Sequence, residues 1–147
     1  MDKNLIYLTQ TDTTVGFLSN DYKKLADIKK RPITQKILRV VDSFKTLKTH
    51  TRIPKKFKKQ IRNSKNTTFI YPNKQSFRVV DNNSDHHKFI KKFKTLYSTS
   101  ANKTGQNFNI EFALNSCDIE VLNKQEYSEN NSSTILKISK SKLTKLR

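Results

Sequence analysis

The sequence predicts an α/β domain built on a twisted, mixed sheet with flanking helices. Short apolar runs rich in Val, Ile, Phe and Tyr recur along the 147 residues, and stretches with apolar residues three or four apart stand between them. Proline, asparagine and hydroxyl residues sit at the joints, where turns and helix caps need them. No internal repeat or linker-like stretch divides the chain, so residues 1–147 are expected to form a single domain.

Asn4–Leu8 reads as the first strand, followed by a threonine-rich turn, Thr11-Asp12-Thr13-Thr14, and by Gly16. Ser19, Asn20 or Asp21 caps a helix running through Lys30, with Leu25 and Ile28 on its buried face, and Pro32 stops it. Ile37–Val41 reads as a strand, and Ser43 caps a short helix carrying Phe44 and Leu47. Pro54 opens another helix, with Phe57 and Ile61 on one face. Thr67–Tyr71 and Phe77–Val80 form a hairpin across Pro72-Asn73. Asp85–Phe93 is a helix through Phe89, Ile90 and Phe93, and Leu96–Ser98, Ile119–Leu122 and Thr134–Ile138 complete the strands. Cys117, beside the apolar stretch Phe112-Ala113-Leu114, reads as a small core residue. Asn123–Ser132 is expected to be a mobile loop and Lys140–Arg147 a basic tail.

Composition excludes several function classes. No apolar run approaches the roughly 18 residues of a membrane span, and Met1-Asp2-Lys3-Asn4 leads straight into a strand pattern; a soluble cytoplasmic protein is expected. A single cysteine permits no internal disulfide. Only Gly16 and Gly105 are glycines, so neither a Walker loop nor a Rossmann fingerprint exists, and any nucleotide must be held by side chains and other backbone amides. His86 and His87 point apart on a helix, without Cys or carboxylate partners at ligand spacing; they read as a surface helix start, and no metal site is expected. No Ser-His-Asp arrangement can be assembled. What remains is charge. The net charge is +18, and Lys29 to Lys65 holds fourteen Lys or Arg against one acid, Asp42. Such a field concentrates phosphates, whether of a nucleotide or of an RNA backbone.

Five segments carry candidate chemistry. They are Thr11-Asp12-Thr13 with Gly16; Lys29-x-Arg31-Pro32; Phe77-Arg78-Val79; Ser98-Thr99-Ser100-Ala101-Asn102-x-x-Gly105; and Ser133-Thr134-Ile135 followed by Leu146-Arg147. Taken alone, Lys29 and Arg31 would be solvated cations at a helix C-terminus, and Ser100 and Asn102 would build a turn. Strand alternation puts Arg78 on the face opposite Phe77 and Val79, as an edge device or as a ligand.

Together and in this order the five segments resemble the YrdC/TsaC family, the L-threonylcarbamoyladenylate synthases. That family carries P-T-(D/E)-T-V-Y-G-L, K-x-R-P, a strand ending V-R-V/I-P, S-A-N-x-S-G and S-T-V/I segments. The chain departs from the pattern at Gln10, Val15, Val80 and Thr104. The resemblance implies a YrdC-like fold around a concave basic cavity. It also implies synthesis of threonylcarbamoyl-AMP and pyrophosphate from L-threonine, bicarbonate and ATP, for modification of tRNA beside the anticodon. By the same resemblance Lys29 and Arg31 are the catalytic cations facing ATP, which brings Mg²⁺ with it. Thr11, Thr13, Arg78, Ser100 and Ser133 would bind substrate, Arg78 through the threonine carboxylate. Thr68, Asn102 and Arg147 would join Lys29 and Arg31 on ATP. Partner proteins of tRNA modification would take the product. The alternative is a non-catalytic, basic RNA-binding module on the same fold.

Overall fold

A computed structural model of the chain describes residues 1–123 and 126–147. It contains nine strands: β1 Tyr7–Gln10, β2 Val15–Ser19, β3 Leu38–Val41, β4 Thr67–Ile70, β5 Ser76–Val79, β6 Thr95–Ser100, β7 Ile119–Glu120, β8 Thr134–Ile138 and β9 Leu143–Lys145. They form one sheet in the order β7-β1-β2-β6-β3-β5-β4-β8-β9. The sheet is mixed, with β1–β7, β3–β5 and β4–β8 parallel and the other neighbours antiparallel.

Five short helices cover it: α1 Tyr22–Lys29, α2 Phe44–His50, α3 Lys58–Asn63, α4 Asp85–Ile90 and α5 Ile110–Ser116. Their starts follow local chemistry. Asp21, Ser43, Ser84 and Asn109 each accept a hydrogen bond from a first-turn amide, satisfying donors that have no partner within the helix. Pro54 leads into a 3₁₀ turn, Lys55–Phe57, before α3 begins. Helices this short are not stable alone, so packing holds them. Leu25 of α1 and Ala113 of α5 join Leu8, Phe17 and Ala101 in one core cluster. Leu47, Phe57 and Ile61 close a second over Val41, Phe69 and Phe77. Phe89 and Ile90 of α4 meet Tyr7, Leu18, Val40 and Leu96 in a third.

Because side chains alternate along a strand, Leu8 and Tyr7, or Phe17 and Leu18, serve clusters on opposite faces. Phe77 packs under α2 and α3 while its neighbours Ser76 and Arg78 line a cavity. The helices α1, α2, α3 and α5 thus lie on one face. The helix α4 shares the other face with the cavity.

Several elements depart from the sequence pattern. β2 was masked by its neighbours' turn chemistry: all five of its residues are buried, which erases the alternation that marks a half-exposed strand. Gly16 is required inside it, since a Cβ there would stand 2.9 Å from Thr11 Cγ2 and 3.2 Å from the Thr99 carbonyl. The strand expected at Leu96–Ser98 runs on through Ser100, where turn residues are expected, and Ser98–Ser100 pairs with Gly16–Leu18 of β2. Ile110–Ser116 is helical, and it half-buries Cys117 against the first cluster. The basic tail is ordered: Leu143–Lys145 pairs with β8 as the sheet's last strand. Ile28 is only partly buried, whereas Lys29 is buried in its place. His86 is not at the surface; it is 4% exposed. Part of the loop expected at Asn123–Ser132 lies outside the described residues.

Candidate active site

Period-two alternation on adjacent strands gathers one set of side chains. Gly16 (β2), Ser98 and Ser100 (β6), Leu38 (β3), Ser76 and Arg78 (β5), Thr68 and Ile70 (β4) and Ile135 (β8) border a single cavity of about 440 Å³. The register explains the grouping, because Gly16 pairs with Ser100, Leu38 with Ser98, Ile70 with Ser76 and Thr68 with Ile135. That volume is in the range of small-molecule sites, roughly 300–1,000 Å³. Its lining is hydroxyl-rich and includes the cations Lys36, Arg78 and Arg147 but, among the described residues, no carboxylate.

The first wall is the β1–β2 turn. Thr11 Oγ1 accepts from the amides of Thr13 (3.3 Å) and Thr14 (3.2 Å) and donates to the Thr14 carbonyl, so the hydroxyl stiffens the turn that presents Thr13. The opposite wall is the start of β8. Ser133 Oγ lies 3.0 Å from Thr68 Oγ1, and Arg147 donates from Nε to the Ser133 carbonyl at 3.1 Å and from Nη2 to its hydroxyl at 3.4 Å. The order of β9 places Arg147 here.

Arg78 forms the floor. It is 4% exposed, and its Nε has no hydrogen-bond partner among the described residues. Burial lowers its pKa from the usual arginine value, opposed by the nearby Asp12 carboxylate and aided by Arg147. Burial also raises Asp12, opposed chiefly by Arg78. His86, buried beside Arg78, is pushed down to about 3 by burial and then by that cation, and neither ring nitrogen has a partner among the described residues. His86 is therefore neutral at physiological pH, and Arg78 has Asp12 as its charge neighbour. A buried guanidinium with an unused donor is suited to an incoming anion.

Lys29 stands behind this cavity. It is 1% exposed at the end of α1, and its Nζ donates to the Ser100 carbonyl at 2.9 Å and to the carbonyl of Asn102, with Ser100 Oγ at 3.4 Å and Asn102 Oδ1 at 3.3 Å. Burial, then Arg31, brings its pKa down to about 8. Asn102 borders an adjoining cleft of about 240 Å³ that shares Thr14, Ser100, Asn130 and Ser132 with the main cavity. Arg31, half-buried just after the left-handed cap Lys30, lines neither space.

Thr11, Thr13, Thr68, Arg78, Ser100, Ser133 and Arg147 thus meet around one cavity, with Asn102 next door and Lys29 one layer behind. Motif reading missed Lys36, Ser76, Asn130 and Ser132. Ser76 was legible as Arg78 minus two on a strand. Asn130 and Ser132 depend on a tertiary strap: Gln10 Nε2 donates to the Ser128 carbonyl and Ser128 N donates to Gln10 Oε1, both at 2.9 Å, while Asn130 N donates to the Thr13 carbonyl at 2.6 Å.

The Sua5_yciO_yrdC family model, described as telomere recombination, matches residues 1–147. The chain belongs to this family. Among solved structures, P. abyssi Sua5 complexed with L-threonine superposes with a TM-score of 0.78 at 16% identity, covering 97% of this chain and 50% of that one. A doubly substituted P. abyssi Sua5 gives 0.79 at 13% identity, over 97% of this chain and 52% of that one. E. coli YciO gives 0.75 at 16% identity, over 99% and 83%. At such identities these likenesses establish the twisted mixed-sheet fold. The chain spans about half the length of the Sua5 protein it resembles. No curated protein matches it in sequence. Among the described residues, no helix is long and apolar enough to cross a membrane, and no group of three His, Cys, Asp or Glu could hold a metal ion.

Proposed function

We propose that this chain is an L-threonylcarbamoyladenylate synthase. The observation that supports it best is the buried Arg78, with an unused donor, at the floor of a hydroxyl-walled cavity whose lining carries, among the described residues, three cations and no carboxylate. In this reading the amine of L-threonine combines with bicarbonate, losing water, to give a carbamate. A carbamate oxygen attacks the α-phosphorus of ATP, and pyrophosphate leaves with the electron pair of the broken P–O bond. Little covalent chemistry is asked of the protein; positioning and neutralised charge supply the rate.

Arg78 pairs with the threonine carboxylate through its planar fork, and Thr11 and Thr13 bound the amino-acid end. Ser100 and Asn102 hydrogen-bond substrate and phosphate oxygens. Lys29 supplies positive charge from behind these two residues, and Arg31 adds to the same field. Thr68, Ser133 and Arg147 hold the adenylate at the far wall. Mg²⁺ arrives on the nucleotide: with no acid among the described lining residues, its ligands are phosphate oxygens and water. The product serves threonylcarbamoylation of tRNA by partner proteins. Formation of threonylcarbamoyl-AMP carrying label from carbon-13 bicarbonate, detected by mass spectrometry, tests the assignment; unlabelled or absent product refutes it.

A second reading, a non-catalytic RNA-binding module, is favoured by the net charge of +18. Binding of RNA with no ATP chemistry would select it.

A further inference from the structure

The charge of this chain is segregated, not spread. All 12 acids lie within residues 2–42, 81–85 and 111–129, and none occurs between Asp42 and Asp81 or after Glu129. Of the three acid-free stretches after Asp42, 43–80 and 130–147 come together through the pairing of β4 with β8, while 86–110 carries α4 and β6. Ser43–Lys65 contains nine Lys or Arg, every one of them exposed: seven on α2, the 3₁₀ turn and α3, and Arg52 and Lys65 on the segments that flank them. The β8–β9 hairpin joins them, with Lys56 Nζ donating to the Ser141 carbonyl at 2.8 Å, and it adds exposed Lys140, Lys142 and Lys145. This surface lies on the face of the sheet opposite the cavity, because Phe77 packs beneath α2 and α3 while Arg78 faces the site.

One cleft interrupts the charged surface. It has a volume of about 390 Å³ and is bordered by Phe44, Arg62, Lys65 and Val80 among others, and by Asp81, whose carboxylate lies 3.9 Å from Lys65 Nζ and leaves Arg62 as its unpaired cation among the described residues. The Arg62 guanidinium lies over the Phe44 ring, 4.9 Å from its centroid. A planar cation on a half-buried aromatic is the type of platform on which an unpaired base stacks, and cations around it meet the phosphates on either side.

We propose that the α2–α3 and β8–β9 surface docks the unpaired loop of an RNA stem-loop, with the phosphate backbone on the lysines and one base in the Phe44–Arg62 cleft. A lipid surface is the poorer match. Peripheral membrane binding inserts apolar side chains, and none of the exposed large apolar residues lies within 43–65 or 137–145. The proposal is independent of the synthase reading, since its residues border none of the cavity.

The test is equilibrium binding of a fluorescent RNA stem-loop to the full chain between about 50 and 200 mM salt. Contact with about five phosphates predicts a slope of log K against log salt near −3.5 for single-stranded RNA. A K55E/K56E/K59E variant should lose at least about tenfold in affinity, whereas K3E/K91E/K92E, with the same change in net charge at exposed lysines elsewhere, should lose less than about threefold. F44A should weaken the stem-loop and leave a fully paired RNA duplex unchanged. Thermal melting of each variant confirms folding, and unchanged threonine-dependent ATP turnover in K55E/K56E/K59E separates this surface from the cavity. Equal losses in the two triple variants would mean a net-charge effect and overturn the proposal. So would equal affinity for duplex DNA, or tighter binding to phosphatidylserine vesicles than to RNA.

Discussion

The Lys29 ammonium donates to the Ser100 carbonyl across 2.9 Å, joining the last turn of α1 to the strand that walls the cavity. Two segments separated by 71 residues are thereby held in one geometry by a buried charge. The same ammonium holds Asn102, so the K-x-R and S-x-N segments are parts of one structural unit.

That contact predicts a pH dependence. Lys29 has a folded-state pKa of about 8 against 10.5 for the free side chain. Across that interval the unfolded chain binds more protons than the folded one, so this residue makes stability rise with pH from about 8 to about 10.5. Denaturant unfolding of the parent chain and of K29M, compared between pH 7.5 and 9.5, isolates the effect from the other titrating groups. The difference in stability between parent and variant should grow with pH; a constant difference contradicts the shift. At neutral pH, K29M should lose about 1–3 kcal/mol, because buried carbonyls at Ser100 and Asn102 lose their donor.

Gly16 and Thr11 are sterically coupled. G16A should destabilise the domain by about 1–3 kcal/mol, since its Cβ would press on Thr11 Cγ2 and on the Thr99 carbonyl. T11S removes the methyl group and keeps the hydroxyl that orders the turn. The double variant should recover part of the loss, and additive losses in a double-mutant cycle would show that the two residues do not meet.

Gln10 fixes the segment that brings Asn130 and Ser132 to the cavity. Q10A should leave global stability within about 1 kcal/mol while raising amide hydrogen exchange at Ser128 and Asn130. In the proposed reaction it should raise KM more than it lowers kcat. Unchanged exchange at Ser128 would contradict the strap.

Arg78 should be irreplaceable by lysine. R78K keeps the charge but loses the fork, so threonine-dependent turnover should fall at least about tenfold, largely through KM for threonine. An unaltered KM for threonine would remove Arg78 from the amino-acid end of the site.

Much of this architecture was legible from the sequence because local chemistry and tertiary packing agree. Asp21 and Ser43 cap helices where hydroxyl and carboxylate residues precede apolar spacing, and Pro72-Asn73 joins β4 to β5. The alternation Phe77-Arg78-Val79 correctly separates core from cavity. The failures share a physical cause. β2 is buried on both faces, so its pattern is uniform, and β9 is a short edge strand whose exposed lysines read as a tail. By residue type alone Lys29 reads as a solvated helix end and His86 as a surface residue, yet one finds four acceptor atoms inside the fold and the other stays neutral beside Arg78. Spacing cannot reveal such partners, because they come from segments far away in the chain.

In the proposed reaction this cavity couples threonine to ATP. Pyrophosphate release from ATP and bicarbonate, followed with and without L-threonine, tests it most directly. Release should require threonine and should fall at least about tenfold in R78K at threonine concentrations below KM. Release indifferent to threonine, or no release from a chain that still binds ATP and threonine, would contradict it.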